Sequence, residues 1–408
     1  MQPYNVAGQQ LSDGGVPGFL DNHWTMSTLA PQRSNGHNPG TDINRRWHSN
    51  SSEITILACR GLFAAMVGSA SGNRFHHMLN ARDLNMADDI GFIGIGNMGY
   101  GMAGNIRQKM PPGATLYVND ILTPTCERFM NEYGGFGPII IGKAPKEIAE
   151  KTKTIVTMLP TGTHVRQVYV EGDTSLFQAP ADKDRLFLEC STIEVNSAKE
   201  IGKLLREAGK GTYIDAPVSG GVKAAAAGTL SFMVGTVRND SNPINRRAYD
   251  TISMMADLAK ITFAGELGTG LAAKIANNYI AFCTSLATAE AMSIGVRSGV
   301  EPKTLFDIIR ASTGNSWHLG IKPCIPDIIP TAPSSNGYAP AFKPSMVVKD
   351  LGLALELARA TGIDPRCATA ALETYKTASE LLCYKDLDCT AVWLLINEKA
   401  PPTPETSL

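Results

Sequence analysis

The chain has 408 residues, of which 43% are hydrophobic and 18% are charged. That length and composition predict a soluble globular protein with one large core or two ordinary ones, and they argue against disorder throughout. The formal net charge of −1 lacks the basic excess by which proteins bind nucleic acid or anionic membranes, so we expect small-molecule partners.

Cysteine and histidine usage narrows the chemistry further. The eight cysteines are spread along the chain without a C-x-x-C pair, so the sequence predicts neither a metal site nor a disulfide framework. Five of the seven histidines precede residue 80, which leaves His164 and His318 for the rest of the chain. We therefore expect another type of side chain to carry any proton transfer.

Residues 1–85 are rich in Gly, Ser, Asn and Pro and show no sustained helical or strand period, which predicts a poorly ordered extension. Its positively charged residues are arginines with no lysine, as in mitochondrial transit peptides, but it also carries several acids. A targeting segment and an uninformative extension both remain open. The apolar stretch 61–72 is too short to span a bilayer, and we predict no transmembrane helix.

The first strong element is a buried strand at 90–93, which leads directly into a glycine-rich turn and a helix at 100–109. In the G-x-G-x-x-G pattern, the first glycine permits a tight turn, the second lets the backbone approach a pyrophosphate, and the third lets helix pack closely on strand. The sequence thus predicts a dinucleotide site at Gly94, Ile95, Gly96, Asn97, Met98 and Gly99.

The second predicted strand, 115–119, ends at Asp120. An acid at this point can accept hydrogen bonds from the ribose hydroxyls and repel a 2′-phosphate, which favours NAD over NADP. Ile121, the next residue, offers no cation for that phosphate. The alternative is a turn-forming acid that simply follows a strand.

Further strands are predicted at doubly wound spacing, with helices at 144–151 and 197–208 between them. These strands are 138–141, 154–158, 186–190, 212–215 and 230–234. One parallel α/β sheet accounts for all of them and predicts a Rossmann-type domain over 86–264. Just past two strand ends, where such sheets bind ligands, lie Leu159, Pro160 and Thr192.

The remaining residues predict an all-α domain over 265–398, followed by a polar tail at 399–408. Its spine is a long interdomain helix at 268–299, which is apolar nearly all round and is therefore expected to be deeply buried. Further helices are predicted at 301–312, 344–362 and 365–382. The Pro-rich segment 323–341 is a loop long enough to suggest a functional role.

Two polar residues stand inside the apolar spine: Lys274 and, one turn later on the same face, Asn278. Burial lowers the pKa of a lysine toward neutrality, where the amine can both accept and donate a proton. A lysine that extends its ammonium group to solvent is the equally weighted alternative.

Three motifs in register show that the chain resembles the β-hydroxyacid dehydrogenase family from residue 90 to about 395. They are GFIGIGNMG at 91–99, DAPVSGG at 215–221 and GTGLAAKIANN at 268–278, and Lys349-Asp350-Leu351 follows at the family's distance. The resemblance implies that Lys274 is the catalytic lysine and that Asn278 helps to hold lysine and substrate. It further implies a substrate-carboxylate segment of Ser219, Gly220 and Gly221, and contacts to the nicotinamide half of the cofactor or its cleft from Leu159, Pro160, Thr192 and Lys349.

The resemblance implies NAD-dependent oxidation of a small 3-hydroxy acid to its semialdehyde, with 3-hydroxyisobutyrate of valine degradation as the first candidate substrate and no metal. It also implies a homodimer or homotetramer in the mitochondrion, with the cytoplasm as the alternative. Two departures from the family pattern, His164 in a cofactor-contacting position and Lys223 in the substrate segment, bear on the substrate, as does the 323–341 loop.

Three other functions are compatible with the same fold. A semialdehyde reductase acting on glyoxylate, succinic or tartronic semialdehyde would differ in direction and cofactor, and Asp120 argues against it. A 6-phosphogluconate dehydrogenase would need more cationic anchors for its phosphosugar. A catalytically silent NAD(P)-binding module is disfavoured because Lys274 and Asn278 are present.

Overall fold

In a computed structural model that describes residues 89–398, the first half of the chain builds a six-stranded parallel sheet of order β3-β2-β1-β4-β5-β6. The strand order reverses between β1 and β4, and sheets of this kind bind ligands outside the carboxyl ends of the strands at that point. The strands are β1 (Ile90–Ile93), β2 (Leu116–Asn119), β3 (Ile139–Ile141), β4 (Thr154–Thr157), β5 (Leu186–Glu189) and β6 (Thr212–Asp215).

Helices cover both faces of this sheet. Alternate residues of each strand point to opposite faces, so Leu186 and Leu188 enter one hydrophobic core while Phe187 enters the other. The helices of this half are α1 (Asn97–Lys109), α2 (Thr123–Tyr133), α3 (Pro145–Lys151), α4 (Gly162–Tyr169) and α5 (Val195–Glu207). The predicted Rossmann-type fold class is confirmed.

One predicted strand does not belong to the parallel sheet. Residues 230–234 form the centre of a separate three-stranded sheet of β7 (Val218–Ser219), β8 (Leu230–Val234) and β9 (Ala256–Phe263), so the prediction of one sheet for all strands was wrong. Between β7 and β8 the chain has only α6 (Gly221–Ala227), which is too short for a parallel crossover, and β8 therefore returns antiparallel to β7. A longer connection through α7 (Pro243–Ser253) lets β9 pair parallel with β8.

The second half is helical, as expected, and packs around its own aromatic-rich core. Its helices are α8 (Thr269–Arg297), α9 (Pro302–Arg310), α10 (Trp317–Ile321), α11 (Pro344–Ala360), α12 (Arg366–Glu380) and α13 (Val392–Ile396). Both halves belong to one compact unit, and the division predicted between 264 and 265 stays a prediction. The predicted extension at 1–85, its link to β1 at 86–88 and the tail at 399–408 lie outside the described residues.

The expectation that α8 is deeply buried was wrong for one of its faces. Lys274, Asn278 and Phe282 point inward, but Ile280 and Ile294 are 63% and 67% exposed. The sequence of a helix that is apolar on both faces predicts burial on both, even where no other part of the chain covers its outer face. By length and composition alone α8 could also cross a membrane, a test that core helices of soluble proteins pass too, so the prediction of no transmembrane helix stays a prediction.

Hydrogen bonds within the 323–341 loop close it on itself, and the N–H of Asp388 donates to the carbonyl of Tyr338 at 2.8 Å. The hydroxyl of the buried Tyr338 donates to the carbonyl of Cys324 at 2.9 Å, and the Ser334 hydroxyl donates to the carbonyl of Pro323 at 2.6 Å. Buried backbone groups need such partners, and these bonds replace regular secondary structure along much of the segment.

Candidate active site

The three glycines of the first turn have three different surroundings. Gly94 has φ +91°, and a Cβ there would overlap the carbonyl oxygen of Met158. A Cβ at Gly99 would overlap the carbonyl oxygen of Gly94, so this position brings helix α1 against the strand. At Gly96 a Cβ would meet nothing within 4 Å. The first and third glycines therefore shape the turn, while the second borders open space.

That open space fits a dinucleotide pyrophosphate. Helix α1 begins directly after Gly96, which provides no side-chain cap, and the first-turn N–H groups of a helix attract an anion. Asn97 is exposed and Met98 half-buried at this edge. The side chain of Ile95 is fully buried in the core, so only its backbone can serve a ligand.

Asp120 follows β2 at the same edge of the sheet. Its Oδ1 accepts a hydrogen bond from the backbone N–H of Leu122 at 2.9 Å, which makes it a turn-forming acid. The neighbouring Ile121 is 94% exposed, so the residue beside the carboxylate offers an apolar surface and no cation. The turn geometry and the ribose-binding role expected from the sequence are compatible, because the turn fixes the carboxylate beside the strand end.

The loops after β4 and β5 are fastened to each other. The backbone N–H of Leu159 donates to Ser191 Oγ at 2.7 Å, and the N–H of Ser191 donates to Glu189 Oε1, also at 2.7 Å. Thr157 Oγ1 donates to the other oxygen of Glu189 at 2.6 Å. This arrangement fixes the loops that carry Leu159, Pro160 and Thr192. Burial raises the pKa of the Glu189 carboxyl to about 7, and the hydrogen bonds from Ser191 and Thr157 oppose that rise.

Lys274 lies on the inner face of α8 and is only 8% exposed. This burial contradicts the alternative in which its ammonium group extends to solvent. Loss of hydration lowers the pKa of Lys274 to about 8; the carboxylate of Asp350 opposes that shift and the nearby Lys349 adds to it. A lysine with such a pKa exists in both protonation states near neutral pH, which is the property that a proton-transferring group needs.

Asp350 connects the helices to the sheet. One carboxylate oxygen accepts a hydrogen bond from Asn278 Nδ2 at 2.7 Å, and the other lies 3.2 Å from Lys349 Nζ. Lys349 also donates to the carbonyl oxygen of Thr192 at 2.8 Å and approaches that of Pro160 at 3.5 Å. A continuous polar network therefore joins α8, α11 and the loops after β4 and β5.

The predicted carboxylate-binding segment sits at the turn between β7 and α6. Ser219 is half-buried, and Gly220 and Gly221 have φ of +136° and +71°. A Cβ at Gly221 would meet nothing within 4 Å. The segment is anchored to the dinucleotide-binding helix, because the buried Asn105 of α1 donates to the carbonyl oxygen of Ala225 at 2.9 Å.

The two departures from the family pattern both lie on the surface. His164 is exposed on α4, with its Nδ1 2.7 Å from Thr161 Oγ1, and Lys223 is exposed on α6. Three buried acids have no role predicted from the sequence: Asp215 and Asp350, which lie within quoted motifs, and Glu189, which lies in the predicted strand 186–190. An acid inside an apolar strand or helix was the available signal, because a buried charge needs partners.

Two family models match consecutive parts of the chain. The first, described as the NAD binding domain of 6-phosphogluconate dehydrogenase, matches residues 89–256. The second, described as NAD-binding of NADP-dependent 3-hydroxyisobutyrate dehydrogenase, matches residues 268–396. Together they cover the sheet and the helices that contain the site, and they show a chain that uses NAD or NADP.

Curated relatives and solved structures point to the same family. A mitochondrial 3-hydroxyisobutyrate dehydrogenase of Mus musculus is 34% identical over 79% of this chain and 90% of its own. A probable 3-hydroxyisobutyrate dehydrogenase of Mycobacterium tuberculosis is 37% identical over 74% of this chain and 96% of its own. A solved M. tuberculosis 3-hydroxyisobutyrate dehydrogenase with L-serine has 34% identity and a TM-score of 0.66, covering 76% of this chain and 99% of that structure.

Proposed function

Because the chain belongs to the 3-hydroxyisobutyrate dehydrogenase family, we propose that it oxidises 3-hydroxyisobutyrate to methylmalonate semialdehyde with NAD, as a step of valine degradation. Its general class is that of a nicotinamide-dependent oxidoreductase acting on a hydroxyl group. The observation that carries the proposal is the buried Lys274, which interacts electrostatically with Asp350 and Lys349, while Lys349 is hydrogen-bonded to the loop after β5.

The chain's own residues supply the proton transfer. The nicotinamide, when bound, accepts the hydride that leaves the hydroxyl-bearing carbon. Lys274 in its neutral form takes the hydroxyl proton on Nζ, so a C–H and an O–H bond break while a carbonyl forms. The resulting ammonium stabilises the developing charge on the carbonyl oxygen. In the reverse direction the same ammonium returns the proton.

Asn278 and Asp350 hold this lysine in a defined environment. Asn278 is fixed by its 2.7 Å hydrogen bond to Asp350, so its amide has a settled orientation one turn from Lys274. The carboxylate of Asp350 stabilises the ammonium formed when the substrate proton arrives. Lys349 lies 3.2 Å from Asp350 and donates to the carbonyl of Thr192, so it links this carboxylate to the loop after β5.

The turn from Ser219 to Gly221 is proposed to hold the substrate carboxylate. A hydroxyl and backbone N–H groups in a short-side-chain turn make a concave site for an anion. Open space beside Gly221 and its positive φ support this role, since a larger side chain would fill the approach or strain the backbone.

Asp120 supports NAD as the preferred cofactor. A carboxylate at the end of β2 accepts hydrogen bonds from the ribose and repels a 2′-phosphate. The name of one matching family model includes "NADP-dependent", so the preference of this chain has to be measured directly.

The exposed apolar face of α8 supports a homodimer or homotetramer. Ile280 and Ile294 lie on it, together with small residues at helical spacing such as Ala273, Ala276 and Ala287. Light scattering on the purified protein gives the assembly directly. A strictly monomeric protein would contradict the proposal.

A mitochondrial location is proposed from the mammalian relatives whose names include it. Bacterial relatives are similarly identical in sequence, so the support for this location comes from the names of the mammalian relatives. Cell fractionation with the full chain separates the mitochondrial location from a cytoplasmic one.

A substrate and cofactor panel tests the function. Purified protein is assayed with 3-hydroxyisobutyrate and other 3-hydroxy acids, and with glyoxylate, succinic semialdehyde and tartronic semialdehyde, using NAD, NADP and their reduced forms. We expect the highest kcat/KM for 3-hydroxyisobutyrate with NAD. Faster reduction of a semialdehyde with NADPH than any oxidation with NAD would contradict the proposal.

A further inference from the structure

Asp215 is a fully buried acid at the end of β6. Its two carboxylate oxygens accept hydrogen bonds from the backbone N–H groups of Gly268 and Leu271, each at 2.8 Å. Gly268 is the residue before α8, and Leu271 belongs to its first turn. The helix therefore receives its N-terminal cap from a strand of the sheet, 53 residues earlier in the chain.

The sequence around the helix start has no cap of its own. The N-cap position is Gly268, which has no side-chain acceptor, and its φ of +94° lies in the left-handed region. Free N–H groups at a buried helix start need acceptors, and an ionised carboxylate also interacts favourably with the positive end of the helix dipole. Asp215 meets both needs for α8.

The packing leaves this carboxylate no freedom. A Cβ at Gly235 would overlap Asp215 Oδ1, and a Cβ at Gly270 would lie 2.9 Å from Oδ2. The N–H of Gly235 donates to the backbone carbonyl of Asp215 at 2.7 Å. Burial raises the pKa of Asp215, and the N–H groups of Gly268 and Leu271 oppose the rise by stabilising the ionised form.

Lys274 lies three residues after Leu271, so both project from the same side of α8. A helix is stiff over one turn, and a displacement of the first turn therefore carries Lys274 with it. Proton transfer is sensitive to such shifts, since about 1 Å of misplacement lowers a rate on the order of 100-fold.

We propose that Asp215 is the positioning residue of Lys274: by holding the start of α8 on the sheet, it places the amine of Lys274 relative to the cofactor-binding edge. This inference rests on the proposed role of Lys274 as the proton acceptor. It assigns Asp215 no contact with substrate or cofactor, and it predicts an effect on turnover that exceeds any effect on cofactor binding.

The first test is Asp215→Asn in the full chain. The asparagine side chain has the same shape, but its NH2 group is a donor and cannot accept the hydrogen bond from one of the two backbone N–H groups. We expect kcat to fall roughly 30- to 100-fold, in line with a misplaced catalytic group, while KM for NAD stays within about twofold. Glu301→Gln is the matched control, because Glu301 caps α9 through the N–H groups of Lys303 and Thr304 and lies outside the site. Its kcat should be unchanged.

A second pair of variants keeps the proposal testable if Asp215→Asn does not fold. Gly268→Ala places an alanine at φ +94°, at the residue whose N–H Asp215 caps, and brings its Cβ to 2.7 Å from Lys199 Cε and 3.0 Å from Val195 Cγ1. Gly299→Ala introduces the same backbone strain beyond the other end of α8, where φ is +95° and a Cβ meets nothing within 4 Å. Both variants should lose thermal stability, and Gly268→Ala should lose at least as much as Gly299→Ala. Only Gly268→Ala should lose kcat, again with KM for NAD within about twofold.

The outcomes separate this inference from the function itself. Wild-type turnover, an inactive Lys274→Ala and full kcat in folded Asp215→Asn or Gly268→Ala would overturn the positioning role alone. Equal kcat losses in Gly268→Ala and Gly299→Ala would overturn it as well, because a general loss of stability would then explain both. No turnover of any hydroxy acid by the wild-type protein would instead overturn the proposed function.

Discussion

The sheet side of the site depends on glycines that leave room for the backbone and for ligands, whereas the helical side depends on interactions between buried charges. On the sheet side, glycines let the backbone turn sharply at Gly94 and border open space at Gly96 and Gly221. On the helical side, Lys274 and Asp350 are buried charges that interact with each other. Substitutions at these glycines should therefore act sterically and affect binding or folding, whereas substitutions at Lys274 and Asp350 should act electrostatically and affect turnover.

The largest expected effect is on the helical side. Lys274→Ala removes the proposed proton acceptor, and kcat should fall about 10³-fold, the usual range for a lost general base. Cofactor affinity, measured by fluorescence titration with NADH, should stay near the wild-type value. Lys303→Ala, at an exposed position on α9, is the control and should keep full activity. Turnover within tenfold of wild type in Lys274→Ala would contradict the assignment.

Asp350 should affect both the rate and its pH dependence. In the wild type, kcat/KM for oxidation should rise with pH and level off above about 8, since only the neutral amine of Lys274 accepts a proton. Asp350 raises the pKa of Lys274 by stabilising its ammonium, so Asp350→Asn should move this rise to lower pH.

In Asp350→Asn, kcat should also fall about 10- to 100-fold, because Asn278 and Lys349 lose the carboxylate that orients them. Asp307→Asn, at an exposed acid on α9, provides the control. A pH profile that stays in place in Asp350→Asn would show that the carboxylate does not act on the titrating group.

Two glycine variants test the steric character of the sheet side. Gly99→Ala should destabilise the free protein by about 3 kcal/mol, because its Cβ overlaps the Gly94 carbonyl and helix α1 must move. Gly96→Ala should leave the free protein as stable as wild type, since its Cβ enters open space, and should instead weaken NAD binding.

Denaturant unfolding and NADH titration measure both quantities for each glycine variant. The reverse pattern, with Gly96→Ala destabilised and Gly99→Ala merely weak in binding, would show that the glycines do not divide their roles as the structure indicates.

The smallest expected effect concerns cofactor choice. Asp120→Ala removes the carboxylate at the end of β2, so kcat/KM with NAD should fall about tenfold while that with NADP rises or stays constant. Asp182→Ala, at a half-buried acid that makes the same kind of turn elsewhere in the sheet domain, is the control. Equal losses with both cofactors would argue that Asp120 only shapes the turn with Leu122.

Much of the fold could be predicted from the sequence because its signals are local. The buried strand 90–93 is a short apolar run before a turn, and its observed bounds agree with the prediction, as do those of the strand 212–215. The sheet to which 230–234 belongs could not be predicted, because strand pairing depends on how much chain lies between partners and where it turns. The exposed side of α8 could not be predicted for a related reason: an apolar sequence does not show whether its own chain, or anything else, covers each face of the helix.

The sequence by itself determined the glycine turn, the acid at Asp120 and the candidate lysine, because these features depend on residue type and on the spacing of a few neighbouring residues. Only the tertiary structure decided that Asp350 joins Asn278 to Lys349, and that Asp215 caps the helix of Lys274 from the sheet. Those contacts span 72 and 53 residues. Burial makes such distant partners necessary, because a charge removed from water is stable only where other groups replace its hydration.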